Sequence, residues 1–433
     1  MKEKVITIWG VITLATVIIV TGCGLNGDNK DPGMIIDPVY PPETLELTRA
    51  ELEMINHSND FAFNLFRQIV SSRSSNESLK TKSIIVSPIS ITFALGMLNN
   101  GAGGDTQAQI NKVLGFSDTG ADGINAFCYK MLNRESVLDL LTKVMIANTI
   151  YMNKGYELKP PFLQIANRYY NAYPETRDFH DGKTMNVINQ WASDNTDKMV
   201  QKVLDEDSFN PNSASYLLNA IYFKGVWTKK FDKESTREMD FYHSGSTHEK
   251  NKLPMMHMIE EFEYAESDGY QALRLPYGNG SFLMTAILPI AKKGESINML
   301  PSVPSTDIWK HINEQMSTIT VDLTFPRIET DTDINLKEIM SDLGMPDAFD
   351  GDRADFSNFC NEPVYIDLMK QVAKIKLDEE GTEAAAVTVI GMRKNSVGDS
   401  PDFVTFCANH PFLYVISEQK TGAILFIGQY TGN

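Results

Sequence analysis

Positive charge is scarce in this chain: 39 Lys and Arg stand against 56 Asp and Glu, a formal net charge of −17 over 433 residues. Phosphate binding needs clustered Lys and Arg, so a nucleic-acid partner is excluded and basic partners are favoured. Cysteine is scarce too, four residues in all. With Cys23 set aside, Cys128, Cys360 and Cys407 are an odd, widely spaced set that implies no disulfide framework and reads as core thiols. Catalytic signatures are missing. Gly182-Lys183-Thr184 ends like a phosphate loop, but Arg177 stands where its first glycine belongs. Gly101-Ala102-Gly103-Gly104 lacks the third glycine of a dinucleotide turn, and no G-x-S-x-G elbow occurs. His243, His248 and His257 approach one another without H-E-x-x-H spacing. No enzymatic activity, cofactor or metal is therefore expected.

What is present begins at the N-terminus. Lys2 and Lys4 precede an apolar run from Val5 to Val20, short for a membrane span of about 20 residues but shaped like a secretory signal. Its end, Val20-Thr21-Gly22-Cys23, resembles a bacterial lipobox. That resemblance implies a signal peptide over 1–22, lipid on Cys23, and an exported protein anchored to the bacterial cell envelope, at the outer membrane or cell surface. An uncleaved anchor helix is the alternative. Residues 24–42 are rich in Gly, Asn, Asp and Pro without apolar periodicity, so 23–45 reads as a lipidated cysteine with a flexible tether, and 46–433 as the folded domain.

Within that domain, 42% hydrophobic content fits a packed core. Glu51 to Val70 places apolar residues at helical spacing, Ser83 to Val86 is a short strand, and Ser87-Pro88 opens a helix with Ser as cap. Further helices are expected at Met185 to Val200 and Leu336 to Leu343. Strands are expected at Val144–Tyr151, Tyr216–Phe223, Tyr270–Leu275, Phe282–Leu288, Ile319–Phe325 and Val364–Leu377. They cluster late in the chain without βα alternation, which points to α+β with a large mixed sheet.

The segment Glu379-Glu380-Gly381-Thr382-Glu383-Ala384-Ala385-Ala386-Val387-Thr388 stands apart. At period two, one face is Thr382, Ala384, Ala386, Thr388, Ile390 and Met392, free of charge and proline and so fit for burial. From Lys394 to Pro401 the composition is that of an exposed loop. One segment thus joins a buried-type strand to a protease-accessible tip.

This hinge resembles that of the serpins. Asn219-Ala220-Ile221-Tyr222-Phe223-Lys224-Gly225-Val226-Trp227, Val86-Ser87-Pro88-Ile89-Ser90 with Gly101-Ala102 and Thr106, and Ala408-Asn409-His410-Pro411-Phe412-Leu413 with Ile424-Leu425-Phe426-Ile427-Gly428 are similar to ordered motifs of the same family. The resemblance covers about Leu47 to Asn433. It implies an α+β serpin fold with a large mixed central β-sheet, smaller sheets, surrounding helices and an exposed reactive-centre loop. It further implies suicide-substrate inhibition of serine and possibly cysteine proteases by a monomer: the target acylates on the loop, and the cut loop enters the sheet faster than water releases the enzyme. Strand addition of this kind is a known outlet for stored strain. The hinge residues are Glu379, Gly381, Thr382, Glu383, Ala384, Ala385, Ala386, Val387 and Thr388; the shutter is Ser87, Ser90, Asn219 and Gln371, where Gln371 departs from the histidine of many serpins. A sixteen-residue count from Glu379 ends at Lys394 and a seventeen-residue count at Asn395. The reactive centre is therefore sought among Arg393, Lys394, Asn395 and Ser396. A trypsin-like pocket pairs a carboxylate with Lys or Arg, which makes Lys394 the first choice and Arg393 the second; elastase-like enzymes could use Val389-Ile390 or Val397. A non-inhibitory serpin serving as an envelope binding or carrier module is the rival reading.

Overall fold

Helix α2 (Pro88–Asn99) has all of its residues buried, so the rest of the molecule must enclose it. The computed structural model describes residues 45–432 except 75, 77, 78, 80, 136, 137, 244–249, 268, 291–301 and 383–402. Amphipathic α1 (Arg49–Ser74) lays Ile55, Phe61, Phe63, Leu65, Phe66 and Ile69 inward. It packs on α2, and the helices α3 (Gly104–Leu114), α4 (Ala121–Glu135) and α5 (Pro160–Tyr170) close around α2 from other sides.

The mixed central sheet has six strands. In spatial order these are β10 (Ile328–Asn335), β11 (Leu368–Asp378), β12 (Gly381–Thr382), β4 (Ser215–Val226), β2 (Thr142–Asn153) and β3 (Glu175–Arg177). Two pairings, β11 with β4 and β2 with β3, are parallel. The smaller sheets run together into one nine-stranded path: β1 (Ile84–Val86), β15 (Ile424–Tyr430), β14 (Phe412–Glu418), β8 (Phe282–Pro289), β7 (Tyr270–Tyr277), β6 (Lys250–Ser267), β9 (Ser317–Pro326) and β13 (Val404–Cys407), with β5 (Arg237–Tyr242) also on β6. They join because β6 is long enough to serve two sheets, pairing with β5 from Lys250 to Met255, with β9 from Met255 to Tyr264 and with β7 from Glu263 to Ser267. Between the two sheets lies the main core, where Phe223 meets Phe282 and Phe426 edge-on, beside Ile221, Ile375 and Leu377.

A second, smaller core lies on the other face of the central sheet. Helix α6 (Thr184–Asn195) sets Ile188 and Ala192 against Tyr216, Leu218, Ala220 and Leu368. This helix stops short of Val200 because Asp197 and Lys198 adopt left-handed φ of 50° and 66°, turning the chain so that Val200 enters the cluster from a loop. Strand β11 likewise begins at Leu368 rather than Val364; Ile366 is buried, but its N–H is bonded to Ala348 O outside any ladder. Helices α7 (Thr306–Gln315) and α8 (Lys337–Leu343) and two short 3-10 turns, Lys233–Ser235 and Pro346–Phe349, complete the described elements.

Candidate functional site: a forked seam under the hinge

Strand β11 lies directly beside β4, row by row from Leu368 opposite Tyr216 to Lys374 opposite Tyr222. Past that row the two strands part, and β12 lies between them, antiparallel to both. Thr382 sits opposite Leu377 and Gly225, and Gly381 opposite Asp378 and Val226. A new central strand has therefore started at the top of a seam that is closed below. Gly381 has φ of +135°, and a Cβ there would come within 2.2 Å of Gly225 O, so no side chain fits the pivot.

The turn into β12 is tied down by groups far away in sequence. Trp227 donates from Nε1 to Asp378 O (2.9 Å) and from its backbone N to Glu380 O (2.8 Å), while Phe231 N donates to Glu379 O (3.0 Å). Trp227 stacks on Tyr277 at 4.3 Å, and the Tyr277 hydroxyl is 3.1 Å from that of Thr382, which is wholly buried. Glu379 is buried too, its carboxylate accepting from Arg327 Nη2 (2.7 Å) and Nε and from the Thr236 hydroxyl. Glu380 is met by Lys230 at 2.7 Å and Lys233 at 3.3 Å.

Two adjacent carboxylates in so dry a place need cations, and the titration behaviour reflects that need. Burial pushes the Glu379 carboxyl up, but hydrogen bonds from Arg327 and Thr236 outweigh it and leave the pKa below the ordinary value of 4.5. Burial acts likewise on Glu380 and is outweighed by Lys230 and Lys233. Because both folded pKa values lie below the unfolded ones, their contribution is present above about pH 4.5 and is lost as pH falls through the folded values. The protection factors of the Trp227 and Phe231 amides, taken relative to intrinsic exchange at each pH, should fall over that acidic interval before global unfolding; Glu379→Gln should remove most of the effect. Unchanged protection factors from pH 5 to 3 would contradict it.

Lower down the seam, the four shutter residues come together. Gln371 Nε2 lies 2.6 Å from Asn219 Oδ1, 3.2 Å from Ser90 Oγ and 3.0 Å from Ser87 O, and its Oε1 accepts from Ser87 N at 2.9 Å. Ser90 Oγ donates to Asn219 Oδ1 at 2.7 Å, and Asn219 Nδ2 donates to Asn148 Oδ1 at 2.6 Å, adding a fifth member. Ser87 joins through its backbone alone. It occupies the N-cap position of α2, where a serine cap is expected, yet its buried hydroxyl makes no cap bond, and only its backbone N–H and C=O meet Gln371. The amide of Gln371 does by geometry what an imidazole would do by titration, so this network carries no ionisable group. Gln371→Leu should cost about 2 kcal/mol by orphaning Ser87 N, while Asn219 Oδ1 keeps its bond from Ser90 Oγ, measured by urea unfolding, with a loss that does not vary between pH 6 and 8.

Of the other expected site residues, Glu383, Ala384, Ala385, Ala386, Val387, Thr388, Arg393, Lys394, Asn395, Ser396 and Cys23 lie outside the described residues. Sequence reasoning missed Arg327, Thr236, Lys230, Lys233 and Tyr277 as hinge partners. One signal was available: paired Glu379 and Glu380 beside a buried strand require cationic partners, although spacing does not name them.

The serpin (serine protease inhibitor) family model matches residues 56–432. Serpin B3 of Homo sapiens is 31% identical over 392 residues, spanning 86% of this chain and 97% of that protein. The leukocyte elastase inhibitor of Xenopus tropicalis is 31% identical over 383 residues, spanning 86% and 97%. Among solved structures, the native thermophilic serpin tengpin aligns with a TM-score of 0.78 at 27% identity over 91% of this chain and 97% of its own. Native protease nexin-1 with heparin aligns at 0.76 and 26% over 88% and 100%. The fork, the shutter and the matched span together place this chain in the serpin family.

Proposed function

We propose that this serpin inhibits serine endopeptidases, trypsin-like enzymes first and elastase-like or cysteine proteases second, as a suicide substrate. The observation that carries the reading is the fork: Gly381 and Thr382 are already laddered between β11 and β4. Continuing their register sets residue 388 opposite both Asn219 and Gln371, which are themselves paired. The rows end at Tyr216 and Leu368, where the two strands last pair, opposite residue 391. Arg393, Lys394, Asn395 and Ser396 fall just beyond, so a cut among them frees the whole hinge to enter. In the proposed reaction the protease's nucleophile adds to the loop carbonyl, the amine leaves, and an acyl bond joins enzyme to loop. Water would break that bond. Insertion competes with it by dragging the enzyme roughly 45 Å, the length of fourteen extended residues, and distorting its active site. Export and lipid attachment at Cys23 would set this activity at the envelope.

A panel of serine and cysteine proteases tests the reading. Covalent complexes that survive SDS are expected with trypsin-like enzymes, with mass spectrometry of the released fragment locating the cut after Lys394 or Arg393. Cleavage of the loop by every enzyme without any adduct would favour the carrier reading instead. Cys23→Ala should shift the protein from the membrane to the soluble fraction; unchanged partitioning would overturn the anchor.

A further inference from the structure

On the outer face of the central sheet, the fork carries two lysines, of which Lys376 stands opposite Glu329 of β10 in the ladder without an ion pair to it. Lys376 on β11 and Lys224 on β4 occupy corresponding rows just below Thr382, where the direct β11–β4 ladder has already ended at Lys374 and Tyr222. Lys376 is exposed and Lys224 half-buried. Among the described residues neither has an ion-pair partner, whereas their neighbours do: Lys374 pairs with Asp331 at 3.2 Å, Lys370 with Asp333 at 3.0 Å, and Lys143, directly across from Lys224, with Asp197 at 3.3 Å. Ammonium groups on either side of the row past Thr382 repel each other, and in a fully formed sheet the strands bearing them would stand about 9.6 Å apart, two strand spacings. One strand fits that gap. A carboxylate on it, on the outer face, would be within reach of both lysines.

We infer that Lys224 and Lys376 form a carboxylate-reading row that fixes the register of any strand added to this seam. The inference rests on the strand-insertion reading above and deepens it. The row lies one residue past Thr382, and residue 383 of this chain is Glu. A strand slipped by one position would bring an apolar alanine to the lysines and turn the carboxylate toward the core face formed by Phe223 and Ile375. The lysine pair thus rewards the correct register and penalises the slipped one. A peptide from outside that carries an acid at the same position would satisfy it equally well.

Two arms test this. In the first, the full-length protein is incubated with a synthetic peptide of residues 382–392, or with the same peptide carrying Gln in place of Glu. At low salt the Glu peptide should bind roughly 3- to 10-fold more tightly, two favourable cross-strand charge pairs being involved. That advantage should shrink below about 2-fold in 0.5 M NaCl, where the Debye length is only a few ångströms, and in the double variant Lys224→Gln, Lys376→Gln. In the second arm, Glu383→Gln and the lysine variants are cut in the loop, and their guanidinium midpoints are compared with those of the intact forms. The cut forms should lose part of the wild-type gain, non-additively, while the intact forms change little. Equal binding of both peptides, an advantage that persists in the lysine variants, or additive losses in the cut forms would overturn the inference. If the cut wild type gains no stability at all, strand insertion itself fails, and the lysine row with it.

Discussion

A single cut between residues 383 and 402 should raise the melting temperature by roughly 10 °C or more, where an ordinary nick in a surface loop lowers it. At about 2.1 cal/mol/K per residue, such a shift corresponds to a gain on the order of 10 kcal/mol for a domain of this size. The source is the seam. Its lower rows pair β11 directly with β4, so a strand entering there breaks one ladder and makes two. Its inward side chains would meet Phe223, Ile221 and Ile375, all fully buried and therefore able to cover a small apolar face without exposing a new one. Intact chain cannot reach that state while both ends of the loop are held, by the Glu379–Arg327 tie at one end and by β13, paired with β9, at the other. Calorimetry on cut and uncut protein reads the effect; an equal or lower melting temperature after cutting contradicts it.

If the proposed inhibition holds, Thr382→Arg should turn this serpin from an inhibitor into a substrate. Thr382 is the first inward residue of the incoming strand, wholly buried against Tyr277. A guanidinium there has no carboxylate to meet, and burying an unpaired charge costs several kcal/mol. Each 1.4 kcal/mol is tenfold in a rate or an equilibrium, so insertion should slow at least about 100-fold relative to hydrolysis. The protease would then leave as free enzyme with cut product, and the ratio of adduct to product on a denaturing gel should fall accordingly. The intact variant should remain folded, since only two residues of β12 have to withdraw from the fork. Thr382→Ser, which keeps the hydroxyl and the size, should retain the adduct. Equal adduct from Thr382→Arg and wild type would show that insertion does not pass through this position.

The strands at Tyr216–Phe223 and Phe282–Leu288 were legible in the sequence because their apolar runs are continuous and both faces are covered. Strand β10 was not. Its inward face includes Thr330 and Thr332, and Thr332 is there because its hydroxyl accepts from Ile85 N, so a buried strand reads as a polar one. The end of α6 was misjudged because apolar spacing continues to Val200 while the backbone turns at Asp197 and Lys198, and a positive φ at these residues leaves no mark in hydropathy. At the site, the shutter was readable as a set of small and amide side chains, yet which atoms bond depended on the α2 cap facing Gln371 rather than its own serine. The cationic ties of Glu379 and Glu380 come from Arg327, Lys230 and Lys233, brought in by strands and turns at least fifty residues away. Spacing along the chain carries no record of such partners.

The crystal structure of the loop-cut protein is the most direct test of strand insertion. The account predicts Asn219 and Gln371 separated by a new antiparallel strand, with residue 388 between them and residue 391 between Tyr216 and Leu368. A cut molecule in which Asn219 still pairs directly with Gln371 would contradict it.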